Sequence, residues 1–413
     1  MRTRFILALC CVALASCSRA TAPLPYGGVN LSADVVRVQS QGAYQTLDSF
    51  GGGASGANPE AGLVAYRGKL YGTTNGAGSG YGAVFAMPPP GGVSIIHRFV
   101  KGDGAYPTGR LVVLHDVLYG TTTEGGAHGQ GTVFGITTSG EESVIHSFGR
   151  PGDGEYPDAG LVVMNGVLYG TTRNGGAHGR GTVFAITPER SEHVLHSFGG
   201  TPDGGHPSAG LIVYKGELYG TTRAGGKNDA GGAAFKIDAF GDERVIHSFG
   251  VNPADGANPA GDLVAVNGLF YGTTIHGGAV GPGFGTVFEM NAGGKEFVLH
   301  SFGLGRDGAY PLAGLASLGG ELYGTTEGGG DTPENKAYCV FFGGAQDGSG
   351  ANRCGTIFEI TRYGRERVLY RFHGYPDGAN PISALAAVTG SLYGTAFWGG
   401  SKEYYGTTFR LSP

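Results

Sequence analysis

The sequence predicts an all-β chain, a seven-bladed β-propeller of four-stranded blades whose ring is closed by the N-terminal strand. Three observations predict it. First, three phrases recur seven times each. LYGTT-like phrases place their Tyr at Tyr71, Tyr119, Tyr169, Tyr219, Tyr271, Tyr323 and Tyr393. GTVF-like phrases end at Phe85, Phe134, Phe184, Phe235, Phe288, Phe358 and Phe409, and IHSF-like phrases at Phe50, Phe99, Phe148, Phe198, Phe249, Phe302 and Phe372. Successive tyrosines stand 48, 50, 50, 52, 52 and 70 residues apart, a period that belongs to propellers and other repeat arrays. Second, each unit holds four short apolar, β-branched runs, in the third unit LVVM, VLYGTT, GTVFAIT and HVLHSF. Clusters of Gly, Asn, Asp and Pro separate them, as turns between antiparallel strands require. Third, the first recognisable strand, Tyr44 to Phe50, is of the fourth type, and the last, Gly406 to Leu411, is of the third type. The N-terminal strand therefore completes the last blade and leaves no open sheet edge.

Composition agrees with this reading. Of 413 residues, 83 are Gly and 20 Pro, a share that signals low complexity unless the glycines are periodic; here they are. Only 15% of residues are charged and the formal net charge is −5, which argues against nucleic acid as a partner and against an anionic-membrane patch. The chain lacks long helix-forming stretches, which excludes a helical bundle.

Taken in order, residues 1–16 read as a lipoprotein signal peptide. Arg2 and Arg4 form a positive start, and Phe5 to Ala15 a short apolar run below transmembrane length. Leu14-Ala15-Ser16-Cys17 resembles a bacterial lipobox, with Cys17 acylated; the alternative is an ordinary cleaved signal with an incidental Cys. Ser18 follows without an inner-membrane retention Asp, so the outer membrane is the expected location, with the lipid anchor the only membrane contact. Residues 17–41 are expected to be a lipidated tether and residues 42–413 the propeller. The sixth unit is lengthened between Gly328 and Gly355 and carries Cys339 and Cys354, expected to pair as a disulfide in an oxidising compartment.

An apolar run, then Gly, then LYGTT and a Gly-Gly pair is loosely similar to the kelch repeat; the full unit carries the phrases HSFG, DGxxPxAGL, LYGTTxxGG and GTVF. It resembles more closely the GloVer-type, choice-of-anchor tandem repeat of exported bacterial proteins, over Tyr44 to Leu411. The resemblance implies fold and exported location, with the lipobox as the anchor. It implies no general biochemical activity.

Strand alternation puts the DGxxP loops and the loops after LYGTT on one face of the disc, the face expected to carry function. Residues following GTT are chemically diverse amid uniform surroundings: Asn75, Glu124, Arg173, Arg223, His276, Glu327 and Trp398, with one-residue offsets allowed. Arg110 and Asp262 replace the usual Gly before the first strand of their units, near the channel if that strand is innermost. His128 and His178 sit in GGAH loops, and Trp398, the sole Trp, is either a sugar-stacking platform or a loop-packing residue. These ten side chains, Asn75 aside, are the candidate ligand-binding set.

His97, His146, His196, His247 and His300 share one strand slot, where the other two units have Asp48 and Tyr370. Equivalent slots in different blades lie far apart, so a packing or edge hydrogen-bonding role is expected, with no metal and no cofactor. Asp103, Asp153, Asp203, Asp255, Asp307 and Asp377 precede Gly and read as turn residues; one carboxylate per loop is too few for calcium.

GxSxG, HExxH and phosphate-loop signatures are absent. The expected function is therefore binding of a glycan or a cell-envelope protein through the loop face. The alternative is a polysaccharide-active enzyme on the same face. A uronate lyase would use Arg110, Arg173 or Arg223 to neutralise the carboxylate and His128, His178 or Tyr for proton transfer. A glycosidase would draw two carboxylates from Glu124, Glu327 and Asp262.

Overall fold

The computed structural model describes residues 43–76, 80–229, 231–252, 254–280, 283–303, 306–330, 354–401 and 405–413. The expected signal peptide, the lipidation site Cys17, the tether and most of the sixth-unit insertion, Cys339 included, lie outside them. Among the described residues no helix is long and apolar enough to cross a membrane.

Seven antiparallel sheets of four main strands follow one another along the chain. Blade 1 is Val64–Tyr66, Lys69–Thr74, Ala83–Met87 and Ser94–Arg98, and blades 2 to 6 repeat this order. Blade 7 takes its first three strands from Ala386–Val388, Ser391–Ala396 and Thr407–Ser412, and its fourth from Ala43–Ser49. The closing pair is antiparallel, with Ala43 opposite Ser412 and Ser49 opposite Thr407. Ring closure by the N-terminal strand, expected from the phase of the repeats, is therefore present.

The repeated phrases are explained by packing between blades. Phe of IHSF in one blade meets Phe of GTVF in the next, edge to face or tilted, in the pairs Phe99–Phe134, Phe148–Phe184, Phe198–Phe235, Phe249–Phe288, Phe302–Phe358, Phe372–Phe409 and Phe50–Phe85. Centroid separations run from 5.0 to 5.5 Å, the range in which aromatic quadrupoles attract, worth about 0.5–1.5 kcal/mol per pair beyond buried area. The last two pairs carry this seam through blade 7, so the seam closes as well as the sheet. The Gly of LYGTT is required by the same packing: a Cβ on Gly170 would lie 2.5 Å from Phe184 Cζ and 2.8 Å from Leu161 Cδ2.

Threonine holds the inner edge. Thr121, Thr171 and Thr273 each donate from Oγ1 to a backbone carbonyl of the following blade, Ala159, Ala209 and Ala313, at 2.8, 3.1 and 2.9 Å. The second Thr of the phrase spans its own blade, as in Thr172 to Thr182 at 2.8 Å. Short bridges pair the DG loop with the loop after GTT, Gly154–Glu155 with Asn174–Gly175 and Gly204–Gly205 with Ala224–Gly225, so the two loop sets share a face.

Candidate functional site

The residue after GTT donates its backbone N–H to the carbonyl of the residue before the recurring Pro of the same repeat: Thr123 to Tyr106 at 3.0 Å, Arg173 to Tyr156 at 3.0 Å, Glu327 to Tyr310 at 3.0 Å. This bond draws together two variable positions, the one after GTT and the one between Pro and the innermost strand. Blades 1 to 4 bring both positions to one cavity, with Asn75, Thr123, Arg173 and Arg223 as the residues behind GTT, whereas blades 5 to 7 bring only the position after Pro. The cavity they form has a volume of about 470 Å³, with Glu60, Asn75, Arg110, Asp158, Arg173, Arg223 and Asp262 among its walls. At its floor the blades touch backbone to backbone: a Cβ on Gly109 would lie 2.6 Å from the Ala159 carbonyl oxygen.

The cup has two sides. Between Pro and the innermost strand, blades 1 to 4 present Glu60, Thr108, Asp158 and Ser208, whereas blades 5 to 7 present Ala260, Leu312 and Ile382. A polar arc thus faces an apolar arc across the axis, the combination that orients a small ligand.

On the polar arc Asn75 Nδ2 donates to Glu60 Oε2 at 2.7 Å, and Arg173 pairs with Asp158 at 3.0 Å. Thr108 Oγ1 bonds Thr123 Oγ1 at 3.1 Å and donates to the Asp158 carbonyl at 2.8 Å. Burial pushes the Glu60 carboxyl above the usual range, the Asn75 bond opposes this, and the Asp158 charge adds to it. Burial likewise raises Asp158, against the pull of Arg173 and Thr123. Asp158 Oδ1 and Ser208 Oγ are shut off from solvent with no hydrogen-bond partner. Among the described residues Arg110 and Arg223 form no ion pair, whereas Asp262 Oδ1 accepts from Gly210 N at 2.6 Å.

Of the ten sequence candidates, Arg110, Arg173, Arg223 and Asp262 line this cup. Glu124, His128, His178 and His276 are exposed and lie outside its lining. His128 Nε2 accepts from Arg150 Nε at 3.4 Å, and His276 Nδ1 lies 3.2 Å from Asn258 Oδ1. Trp398 packs edge-on against Phe397 at 5.0 Å and on the blade 6–7 core, in the loop-packing manner. Glu327 is half-buried and also outside the cup lining. The histidines and arginines of the lyase reading are therefore not brought to one place, and of its glycosidase carboxylates only Asp262 reaches the axis.

Glu60, Asp158 and Ser208 were missed by sequence reasoning. The signal was available: the position after Pro varies chemically while its neighbours do not. The shared His slot is hydrogen-bonded at the blade edge, His146 Nε2 to Asp153 Oδ2 at 3.1 Å and His196 Nε2 to Asp203 Oδ2 at 3.1 Å. Cys354 is 1% exposed, and its expected disulfide partner Cys339 lies outside the described residues.

The model of the Gloeobacter/Verrucomicrobia repeat matches residues 25–175 and 140–338. No curated protein matches the chain. Similar solved structures include a gluconolactonase from Xanthomonas campestris, 13% identical over 69% of this chain and 86% of that one, TM-score 0.42. A subtype N11 neuraminidase-like protein from the flat-faced bat H18N11 isolate is 10% identical over 89% of this chain and 98% of that one, TM-score 0.40.

Proposed function

The chain belongs to the Gloeobacter/Verrucomicrobia repeat family, and from that premise we propose that it is an exported, lipid-anchored binding protein whose axial cup holds an acidic sugar of an envelope glycan. The observation that carries this reading is the chemistry of the polar arc. Two guanidiniums of the cup, Arg110 and Arg223, form no ion pair among the described residues, and they share its lining with the polar side chains of Glu60, Thr108 and Ser208. A sugar carboxylate matches the two guanidiniums through charge-assisted hydrogen bonds, and sugar hydroxyls pair with the polar side chains that line the arc. The apolar arc of Leu312 and Ile382 supports the less polar face of a ring.

The test is calorimetry of residues 18–413 with glucuronate and galacturonate oligomers beside neutral oligosaccharides. Selective binding of the acidic oligomers is expected, and Arg223→Ala should weaken it about ten- to a hundredfold, the worth of one charged hydrogen bond. Equal binding of neutral and acidic sugars, or none of either, overturns the reading. Unsaturated products in the same mixtures, seen by mass spectrometry, would replace binding by lyase chemistry. Anchoring is tested separately: Cys17→Ala should move the protein from the membrane fraction to the soluble one.

A further inference from the structure

At five of the seven joints between blades a His, an Asp and a Glu meet, although they come from three separate segments. The sets are His97, Asp103 and Glu142; His146, Asp153 and Glu192; His196, Asp203 and Glu243; His247, Asp255 and Glu296; and His300, Asp307 and Glu366. In each, one ligand atom per residue lies within 4.8 Å of the others. The His belongs to the fourth strand of one blade, the Asp to the loop that follows, and the Glu opens the fourth strand of the next blade.

The aspartate has its own structural work. Asp203 accepts from His196 and from the backbone N–H groups of Gly199 and Gly204 at 3.1, 2.9 and 2.7 Å. The glutamate has none of this. Oε1 of Glu142, Glu192, Glu243, Glu296 and Glu366 is in every case shut off from solvent and without a hydrogen-bond partner. Burial, with the neighbouring Asp next in importance, pushes each of the five carboxyls up to about 7. Five repetitions of a partnerless enclosed oxygen beside a second carboxylate and an imidazole point to a missing positive charge.

The two remaining joints serve as internal controls. Between blades 6 and 7 the three slots hold Tyr370, Asp377 and Tyr44: the rings stack at 3.7 Å, Tyr370 OH donates to Asp377, and Tyr44 OH donates to the Asp377 carbonyl at 2.7 Å. Between blades 7 and 1 they hold Asp48, Ser55 and Val93, with Val93 N donating to Asp48 Oδ2 at 2.8 Å. His and Glu are lost together in both, and both joints are sealed by direct bonds. A Glu that merely decorated the blade edge would have no reason to follow the His.

We propose that these five joints bind divalent first-row transition-metal ions, one per joint, through the His imidazole, the Asp and the Glu. One nitrogen and two carboxylate oxygens form a donor set suited to Zn²⁺ or Mn²⁺, with water filling the remaining positions. The histidine side chains are 16–21% exposed, which leaves a solvent approach. Tetrahedral donors at metal–ligand distances of about 2.0–2.2 Å stand about 3.4 Å apart, close to the 3.1–3.5 Å of the His–Asp pairs, so the Glu makes the larger adjustment. This departs from the expectation of no metal, which compared each His with its counterparts in other blades; the partners are the following loop and the adjacent blade.

The experiment takes residues 18–413, stripped with a chelator, reloaded with Zn²⁺ or Mn²⁺ and dialysed, and counts metal by plasma mass spectrometry alongside Tm. About five equivalents and a Tm that rises with metal are expected. Glu243→Gln should lower the count by one while the metal-free Tm stays equal or rises, since the variant removes an uncompensated charge. Replacing all five glutamates by Gln should abolish the count. No retained metal with a Tm indifferent to ion and chelator overturns the proposal and leaves a proton shared between the carboxyls. An unchanged count in the five-fold variant overturns it equally, by placing the metal elsewhere.

Discussion

Glu60 shows what a side chain held at the axis costs the fold. Its carboxyl is raised by burial above the unfolded value of 4.5, so the folded state binds the proton more tightly than the unfolded state. Stability is then greatest below the unfolded pKa and falls as pH rises through the folded one. Glu60→Gln keeps an oxygen to accept from Asn75 and removes the charge. Its Tm should fall less than that of the parent chain as pH rises from 4 toward neutrality, and parallel pH profiles would reject the account. At the aromatic seam Phe184→Ala should cost about 3–5 kcal/mol in the denaturation midpoint, the usual loss for a fully buried ring. The residues also mark the limit of the sequence. Asn75, Arg173 and Arg223 were legible because repetition aligns them directly behind GTT. Glu124, His276 and Trp398 stand one position further on, the offset that the sequence reading allows. In extended chain a shift of one residue turns the side chain to the other side, and in the second blade it is Thr123, not Glu124, that lines the cup. Glu60 and Asp158 were overlooked because their position reads as a spacer between a Pro and a Gly.

Among the elements, the strand Ala43–Ser49 is the one that closes the ring. It covers the outer edge of Thr407–Ser412 over six paired residues and supplies Phe50 to the seam with Phe85. Deleting residues 43–50 should expose that edge and unseat blade 1 from blade 7; the expected result is loss of the monomer peak on size exclusion and a lower, broader melt. A variant that remains monomeric with an unchanged melt would show the closure to be dispensable. The closing strand was legible because its phrase type is out of phase with the start of a unit. The inter-blade His–Asp–Glu sets were not, since their Glu lies one repeat further along and differs in local context, GEES at Glu142 and GKEF at Glu296.

At the scale of the molecule, seven near-identical units make an asymmetric object. Their scaffold positions largely repeat, and at the axis the residue after Pro is polar in blades 1 to 4 and apolar in blades 5 to 7. A site with one orientation can thus be built on a ring without one. Because Ala43 lies opposite Ser412, the ends of the ring are neighbours. A circular permutant that links them by a short Gly/Ser spacer and opens the chain between Glu189 and Arg190, in an exposed turn, should remain a folded monomer with a Tm within a few degrees of the parent. Aggregation of this permutant would mean that the order of the blades in the chain, and not only their contacts, is needed.

The shared last blade also sets a timetable. Ala43–Ser49 leaves the ribosome before any other strand of the ring, yet its partner Thr407–Ser412 is the last of those strands to be made. Pairing across almost the whole ring is slow, and the ring cannot close until the last of its strands has been made. For a protein proposed to cross a membrane this delay is useful: the chain stays loose during passage and locks only once both ends have arrived on the far side.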